Sequence, residues 1–193
     1  MHQYSIDTRE RQNITLILVV ISILLAWSFH EMLIYYKFVL PWWLNAPSIV
    51  FFYGVLFTIF DKFCWKWKFF RKINFIKTPD LNGEWLGFIQ SSFDEHSLKI
   101  EANLKIVQSL SKIKILLSTD QSSSYSESAS IVINAPEGIF LNYQYINEPK
   151  ANSQNTMHIH RGTARLLLKE NTLIGEYYSG RDRTVSYTHL RAH

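Results

Sequence analysis

The chain is predicted to be a membrane protein in two parts: two N-terminal transmembrane α-helices, then an all-β domain forming a small antiparallel barrel of about eight strands. Three observations carry this expectation. Two apolar stretches, 14–36 and 42–60, each come close to the ~20 residues needed to cross about 30 Å of hydrocarbon. At Thr78-Pro79 the texture changes, and period-two alternation replaces continuous apolarity. No amphipathic helix follows that could cover the face of an open sheet.

Residues 1–13 precede the first span and are expected to be a short cytoplasmic N-terminus. From Ile14 to Phe29 the first span is broken only by Thr15, Ser22 and Ser28, whose hydroxyls can bond back to their own helix. His30 and Glu31 belong near one interface. The run has no small-residue cleavage site behind it and a second span follows closely, so it is expected to be retained rather than removed as a signal peptide. Trp42 and Trp43 enter the second span and Trp65 and Trp67 leave it, as interfacial aromatic belts do. Pro47 suits the first turn of that helix, where its missing N–H costs little. The short connection between the spans makes them an antiparallel hairpin.

Charge is divided unevenly between the two parts. Residues 1–77 carry a formal net of +5 and residues 78–193 a net of −1. The basic balance therefore belongs to the membrane half, which argues against a nucleic-acid duplex binder with a basic face. Only Lys37 lies between the spans, whereas Lys62, Lys66, Lys68, Arg71, Lys72 and Lys77 crowd the 61–78 juxtamembrane segment. With Arg9 and Arg11 ahead of the first span, the positive-inside rule places both termini in the cytoplasm of a multi-pass protein of the cell membrane. The basic collar would lie against anionic lipid. The lone cysteine, Cys64, allows no intrachain disulfide, and beside the second span it is read as apolar filler before an acylation site.

Residues 79–183 are read as the barrel domain. Leu98, Ile100, Ala102, Leu104 and Ile106 alternate with polar residues, the clearest half-buried strand in the chain. Further strands are expected over 83–92, 112–119, 128–135, 139–146, 158–169 and 172–179. Turn chemistry separates them at Ser109-Leu110-Ser111, Pro136-Glu137-Gly138 and Glu170-Asn171, with the serine-rich 120–126 tract expected as a hairpin loop. Closing the sheet would remove its exposed edges, and eight strands enclose only side chains or one small ligand.

Several residues could carry function. Trp85, after the Asp80-Leu81-Asn82-Gly83 turn, can either stack on a base or plug one barrel end. His158 and His160 share a strand face, but a zinc site needs a third or fourth ligand, so no metal is expected. Arg161 and Arg165 share another face, and Arg181 and Arg183 a third, close to Tyr177 and Tyr178. Guanidinium forks match phosphate oxygens and aromatic rings stack on bases, while the alternative reading is a solvated outer face. With no nucleophile elbow, phosphate-cradling glycine loop or HExxH helix, the chain is not expected to be an enzyme.

Two membrane helices, a basic collar, Asp80-Leu81-Asn82-Gly83-Glu84-Trp85 opening a minimal barrel and Tyr178-Ser179-Gly180-Arg181-Asp182-Arg183 near its end resemble the CD-NTase-associated protein 15 family. These are membrane effectors of bacterial CBASS antiphage systems. The resemblance implies that a CD-NTase supplies a cyclic nucleotide, most simply a cyclic dinucleotide, which binds the barrel and promotes oligomerisation. The assembled helices then disrupt the inner membrane, an abortive infection. It implies no cofactor, with the nucleotide as activating ligand. On that resemblance Arg181, Arg183, Arg165 and Arg161 are candidates for phosphate, and Tyr178 and Trp85 for bases. The alternative is a membrane-tethered, lipocalin-like barrel for a lipid or apolar ligand, which needs an aliphatic lumen and no inward arginines. Residues 184–193 lack the alternation of a closing strand and look like adapter-derived sequence, so the native eighth strand is expected to be missing.

Overall fold

A computed structural model describes residues 1–37, 41, 45–90, 97–150, 158–180 and 183–192, without the side chains of 45–47 and 183–189. The chain forms two compact units, one of residues 1–8 with 78–193 and one of residues 9–77.

The helical unit begins with α1, Glu10–Tyr35, the one helix among the described residues long and apolar enough to cross a membrane by length and composition. Its buried residues, Glu10, Ile14, Leu18, Ser22 and Ala26, fall at four-residue intervals on a single stripe. Leu16, Val20, Leu24 and Trp27 are exposed around the rest of it, the surface that a hydrocarbon solvent would cover. Ser22 satisfies its hydroxyl by donating to the Leu18 carbonyl (2.6 Å). The second helix, α2 (Asn45–Lys62), packs on α1, with Phe29 edge-on to Phe52 at 5.9 Å. A 3₁₀ turn at Cys64–Lys66 and a short helix, α3 (Lys68–Lys72), follow. Here Phe70 gathers Phe60, Trp67 and Phe75 around itself, and the Lys66 ammonium lies 5.8 Å from the Trp65 ring centroid. Trp67 is exposed as an interfacial aromatic should be, whereas Trp65 is fully buried and serves the packing instead. Trp42 and Trp43 lie outside the described residues.

Among the described residues the second unit is a closed barrel of nine strands: β1 (His2–Ile6), β2 (Gly83–Gln90), β3 (Ile100–Gln108), β4 (Lys112–Ser118), β5 (Ser122–Ala135), β6 (Gly138–Pro149), β7 (His160–Lys169), β8 (Thr172–Ser179) and β9 (Arg183–Ala192). Strands β2 to β9 run as an antiparallel meander, and β9 closes the ring on β2. Leu104, Ile106, Ile113, Ile115, Ile131, Leu141, Leu166, Leu173 and Leu190 fill the interior.

Three expectations are corrected. Residues 2–6, read as part of a short N-terminal segment outside the barrel, belong to the barrel, because β1 inserts between β4 and β5. The serine-rich tract is mostly strand: Thr119 N–H donates to the Ser122 carbonyl (2.9 Å), which confines the turn to Asp120-Gln121. Small inward hydroxyls suit this stretch, since Ser126 Oγ takes the Ile115 N–H (3.0 Å) and meets the His2 ring (2.7 Å). Finally, 183–192 does form the closing strand. Its pairing needs backbone groups more than apolar alternation, and Leu190 is fully buried in the core with Ala192 packed against it.

One end of the barrel is sealed by a polar network. Gln108 accepts from the Leu81 N–H (2.8 Å) and donates to the Tyr4 hydroxyl (3.1 Å), which donates in turn to the Ser109 carbonyl (3.2 Å). The Asp7 carboxylate then takes the N–H groups of Ile133 (2.8 Å) and Asn134 (2.9 Å). Desolvation opposes its ionised form, but these backbone donors prevail and hold the carboxyl below its usual range. A depressed carboxylate stabilises the fold above its unfolded pKa of about 4 and loses that contribution as pH falls through the folded value. Melting curves should therefore separate wild type from Asp7→Asn at pH 6, with the gap narrowing progressively as pH falls from about 4 toward about 2. A gap that does not narrow would contradict the clamp.

Candidate functional site

Strand alternation decides where each candidate residue points. On β7, Gly162, Ala164 and Leu166 face the core, which turns Arg161, Thr163 and Arg165 outward. Tyr178, 46% exposed, stands directly beside Thr163 on the same outer face. Its hydroxyl donates to Glu176 (3.1 Å). The Arg165 guanidinium lies 4.3 Å from the Phe140 ring centroid, and Arg161 pairs with Glu127 at 3.3 Å with both groups open to solvent. Such an exposed pair is weak and can exchange its carboxylate for a stronger anion. The structure thus brings Arg161, Arg165 and Tyr178 onto one surface. Arg181 lies outside the described residues, and so does the side chain of Arg183.

Trp85 does not join them. It points inward, is 4% exposed, and donates its indole N–H to the Leu81 carbonyl (3.1 Å). A ring enclosed on both faces cannot stack on a ligand base, so the stacking role is corrected to that of a plug.

At the opposite end of the barrel from the Gln108 network, an open cavity of about 670 Å³ is lined by Ile146, His158, Ile159, His160, Arg161 and Gly180. Gly180 N–H donates to the Arg161 carbonyl (2.8 Å), continuing the β7–β8 pairing one step past Gly162 and Ser179. Beside it Tyr145 lies across Gly162 and donates to the Tyr178 carbonyl (3.3 Å). Burial, with smaller help from neighbouring phenols, pushes the Tyr145 hydroxyl well above its ordinary pKa, so it stays a donor at neutral pH. The His160 ring meets Tyr145 edge-on at 6.5 Å.

Sequence reasoning weighed His158 and His160 only as metal ligands and missed them as cavity walls. Among the described residues no group of three or more His, Cys, Asp or Glu converges as a metal site would require. The usable signal was their place at the start of a strand that also carries Arg161.

Comparison with known proteins decides the family. Residues 76–189 match the model of the Cap15 cyclic dinucleotide receptor domain, and residues 12–66 match that of the Cap15 TM helices. The chain belongs to the Cap15 family. It is 33% identical over 143 residues to the CD-NTase-associated protein 15 of Staphylococcus schleiferi, covering 74% of this chain and 76% of that protein. The Yersinia aleksiciae protein of the same name is 34% identical over 134 residues, covering 68% and 62% of the two chains. In this Cap15 chain the receptor match spans β2 to β8 and most of β9, and the TM match spans most of α1, all of α2 and the 3₁₀ turn. Neither match reaches β1.

Proposed function

We propose that this Cap15 chain is a CBASS effector in which a cyclic dinucleotide, supplied by a CD-NTase, binds the barrel and drives oligomerisation and disruption of the inner membrane. The carrying observation is the pairing, in one chain, of a receptor-domain match with a membrane-helix match. A ligand that binds the assembling state better than the resting one shifts the population toward assembly.

The ligand site in this reading is the cavity at His158, His160, Arg161 and Gly180, continued over the outer face by Thr163, Arg165 and Tyr178. The filled interior supports a site outside the lumen. Arg161 and Arg165 do point outward, which the lipid-binding alternative required, but that alternative also needs a vacant calyx. The orientation is supported by connectivity. Strand β1 precedes the helical unit and β2 follows it, yet both belong to one barrel, so the chain between them must cross a membrane an even number of times. With the Lys/Arg bias, both termini are then cytoplasmic, where the nucleotide is made.

The test is titration of the detergent-solubilised full chain with a panel of cyclic dinucleotides, followed by calorimetry and light scattering. One member should bind and raise the particle mass. Arg161→Ala should weaken that binding about tenfold or more, the loss expected for a charge-assisted contact worth ~1.5–3 kcal/mol. No binding across a panel of cyclic di- and trinucleotides would remove the proposal's basis.

A further inference from the structure

The 61–78 collar does not simply continue α2 as a helix. Phe63 N–H still donates to the Ile59 carbonyl (3.0 Å), but Trp67 is extended (φ −64°, ψ 131°) and α3 starts afresh behind it. The chain then folds back. The Phe70 carbonyl takes the N–H groups of Phe75 (2.9 Å) and Ile76 (3.3 Å), and the Lys77 N–H donates to the Glu10 carboxylate (2.8 Å). Trp65 and Ile76, 0% and 2% exposed, fix this foot from inside. Its outside is unusual for a surface in water. Phe63, Trp67, Phe69 and Ile73 are all 55% exposed or more, and Trp67 and Phe69 both lean on Phe70, at 6.1 and 5.6 Å between ring centroids. Among these side chains stand Lys62, Lys68, Arg71 and Lys72, all exposed. From Lys62 to Lys77 the sequence holds six cations and no acidic residue, and among the described residues none of the six is ion-paired.

We propose that this foot is a docking surface for anionic phospholipid. Phe63, Trp67, Phe69 and Ile73 enter the headgroup and upper acyl layer, while Lys62, Lys68, Arg71 and Lys72 hold the phosphates of acidic headgroups. Two kinds of side chain together select this partner. A soluble anion would satisfy the cations and leave the rings in water. A neutral bilayer would take the rings and leave the cations unmatched. Only an acidic lipid surface offers an apolar layer directly beneath a negatively charged one. Charge counting alone places cations near lipid; the fold adds an inserted ring face and a headgroup site that is shaped before lipid arrives, which lowers the ordering cost of binding. Each Lys or Arg close to such a surface favours acidic lipid by about fivefold. The surface lies wholly within the helical unit, and its test needs no nucleotide.

The experiment places the full chain in nanodiscs of phosphatidylcholine mixed with phosphatidylglycerol and quantifies the lipid the protein retains on transfer to detergent. Phosphatidylglycerol should be enriched over its share of the bilayer. Lys68→Gln/Arg71→Gln/Lys72→Gln should lower that enrichment about tenfold or more, toward the bulk composition. Lys99→Gln/Lys112→Gln/Lys114→Gln removes the same charge from the barrel and should leave the enrichment unchanged. All six substituted side chains are exposed, so both variants keep the fold. An equal loss in the two variants would assign the effect to net charge and overturn the site, and so would a wild-type protein that retains the two lipids in their bulk ratio. The rings have their own readout. In a Cys64→Ser background, Phe69→Cys carries an environment-sensitive fluorophore, whose emission in the mixed nanodiscs should be that of the headgroup layer. Emission typical of water would show that the ring face does not insert, and the proposal would fall with it.

Discussion

Truncating Trp85 to alanine is expected to remove about 3–5 kcal/mol of stability, a large share of the roughly 5–15 kcal/mol that holds a domain of this kind together. The side chain is 4% exposed, it fills the core beside Leu81 and Leu104, and its indole N–H is bonded to the Leu81 carbonyl. Two terms combine: lost transfer free energy of a large ring, and a cavity that a closed barrel cannot collapse to fill. Trp85→Phe should cost much less, because most of the volume remains and the chief loss is one hydrogen bond of about 1 kcal/mol. Denaturant melts of the solubilised protein separate this from a ligand-stacking role. The plug predicts an early melt for Trp85→Ala and a mild change for Trp85→Phe. A stacking residue would leave both melts at the wild-type midpoint while weakening nucleotide binding, and that pattern would sink the plug.

How much of this was legible in advance follows from which residues decide each feature. The helix α1 and strand β3 were readable because their periods are continuous over many residues: apolar throughout in one, and Ile100, Ala102, Leu104 and Ile106 alternating in the other. Strand β1 was not readable. Its five residues place Tyr4 and Ile6 on one face, but a strand so short is decided by its partners, and these are more than 100 residues away in Ile113, Ala129 and Ile131. The serine tract misled for a different reason. Turn propensity and strand pairing compete there, and pairing wins because Ser124 and Ser126 are small enough to face inward. Strand β9 is held by pairing on both sides, a tertiary effect that no local pattern records.

For the site, spacing grouped Arg161 with Arg165 correctly, and the direction of both was available too. Gly162, Ala164 and Leu166 occupy the alternate positions and are the better core residues, which sends the arginines outward. The cavity was not available. It depends on which residues β7 and β8 bring opposite one another, down to Gly180 on the Arg161 carbonyl, and the sequence does not state that register.

That dependence makes Gly162→Ala the sharpest perturbation near the site. A Cβ at this position would collide with the Tyr178 backbone carbonyl and with the hydroxyl and adjacent ring carbon of Tyr145. The tyrosine can swing aside, but the carbonyl belongs to β8, which is hydrogen-bonded to β7 through Gly162 and Ser179. The variant is expected to cost about 1–3 kcal/mol, toward the upper end because backbone has to move. Adding Tyr145→Phe should recover only part of this, since it removes the hydroxyl conflict and leaves that with the carbonyl. The displacement falls on the Tyr178-Ser179-Gly180 segment, which carries the Gly180 contact to Arg161 and hence one wall of the cavity. Nucleotide affinity should therefore drop by more than the melting temperature suggests, and the double variant should regain stability without regaining affinity in proportion. A Gly162→Ala protein with wild-type melting and wild-type affinity would mean that Tyr145, Gly162 and Tyr178 do not hold the cavity's shape.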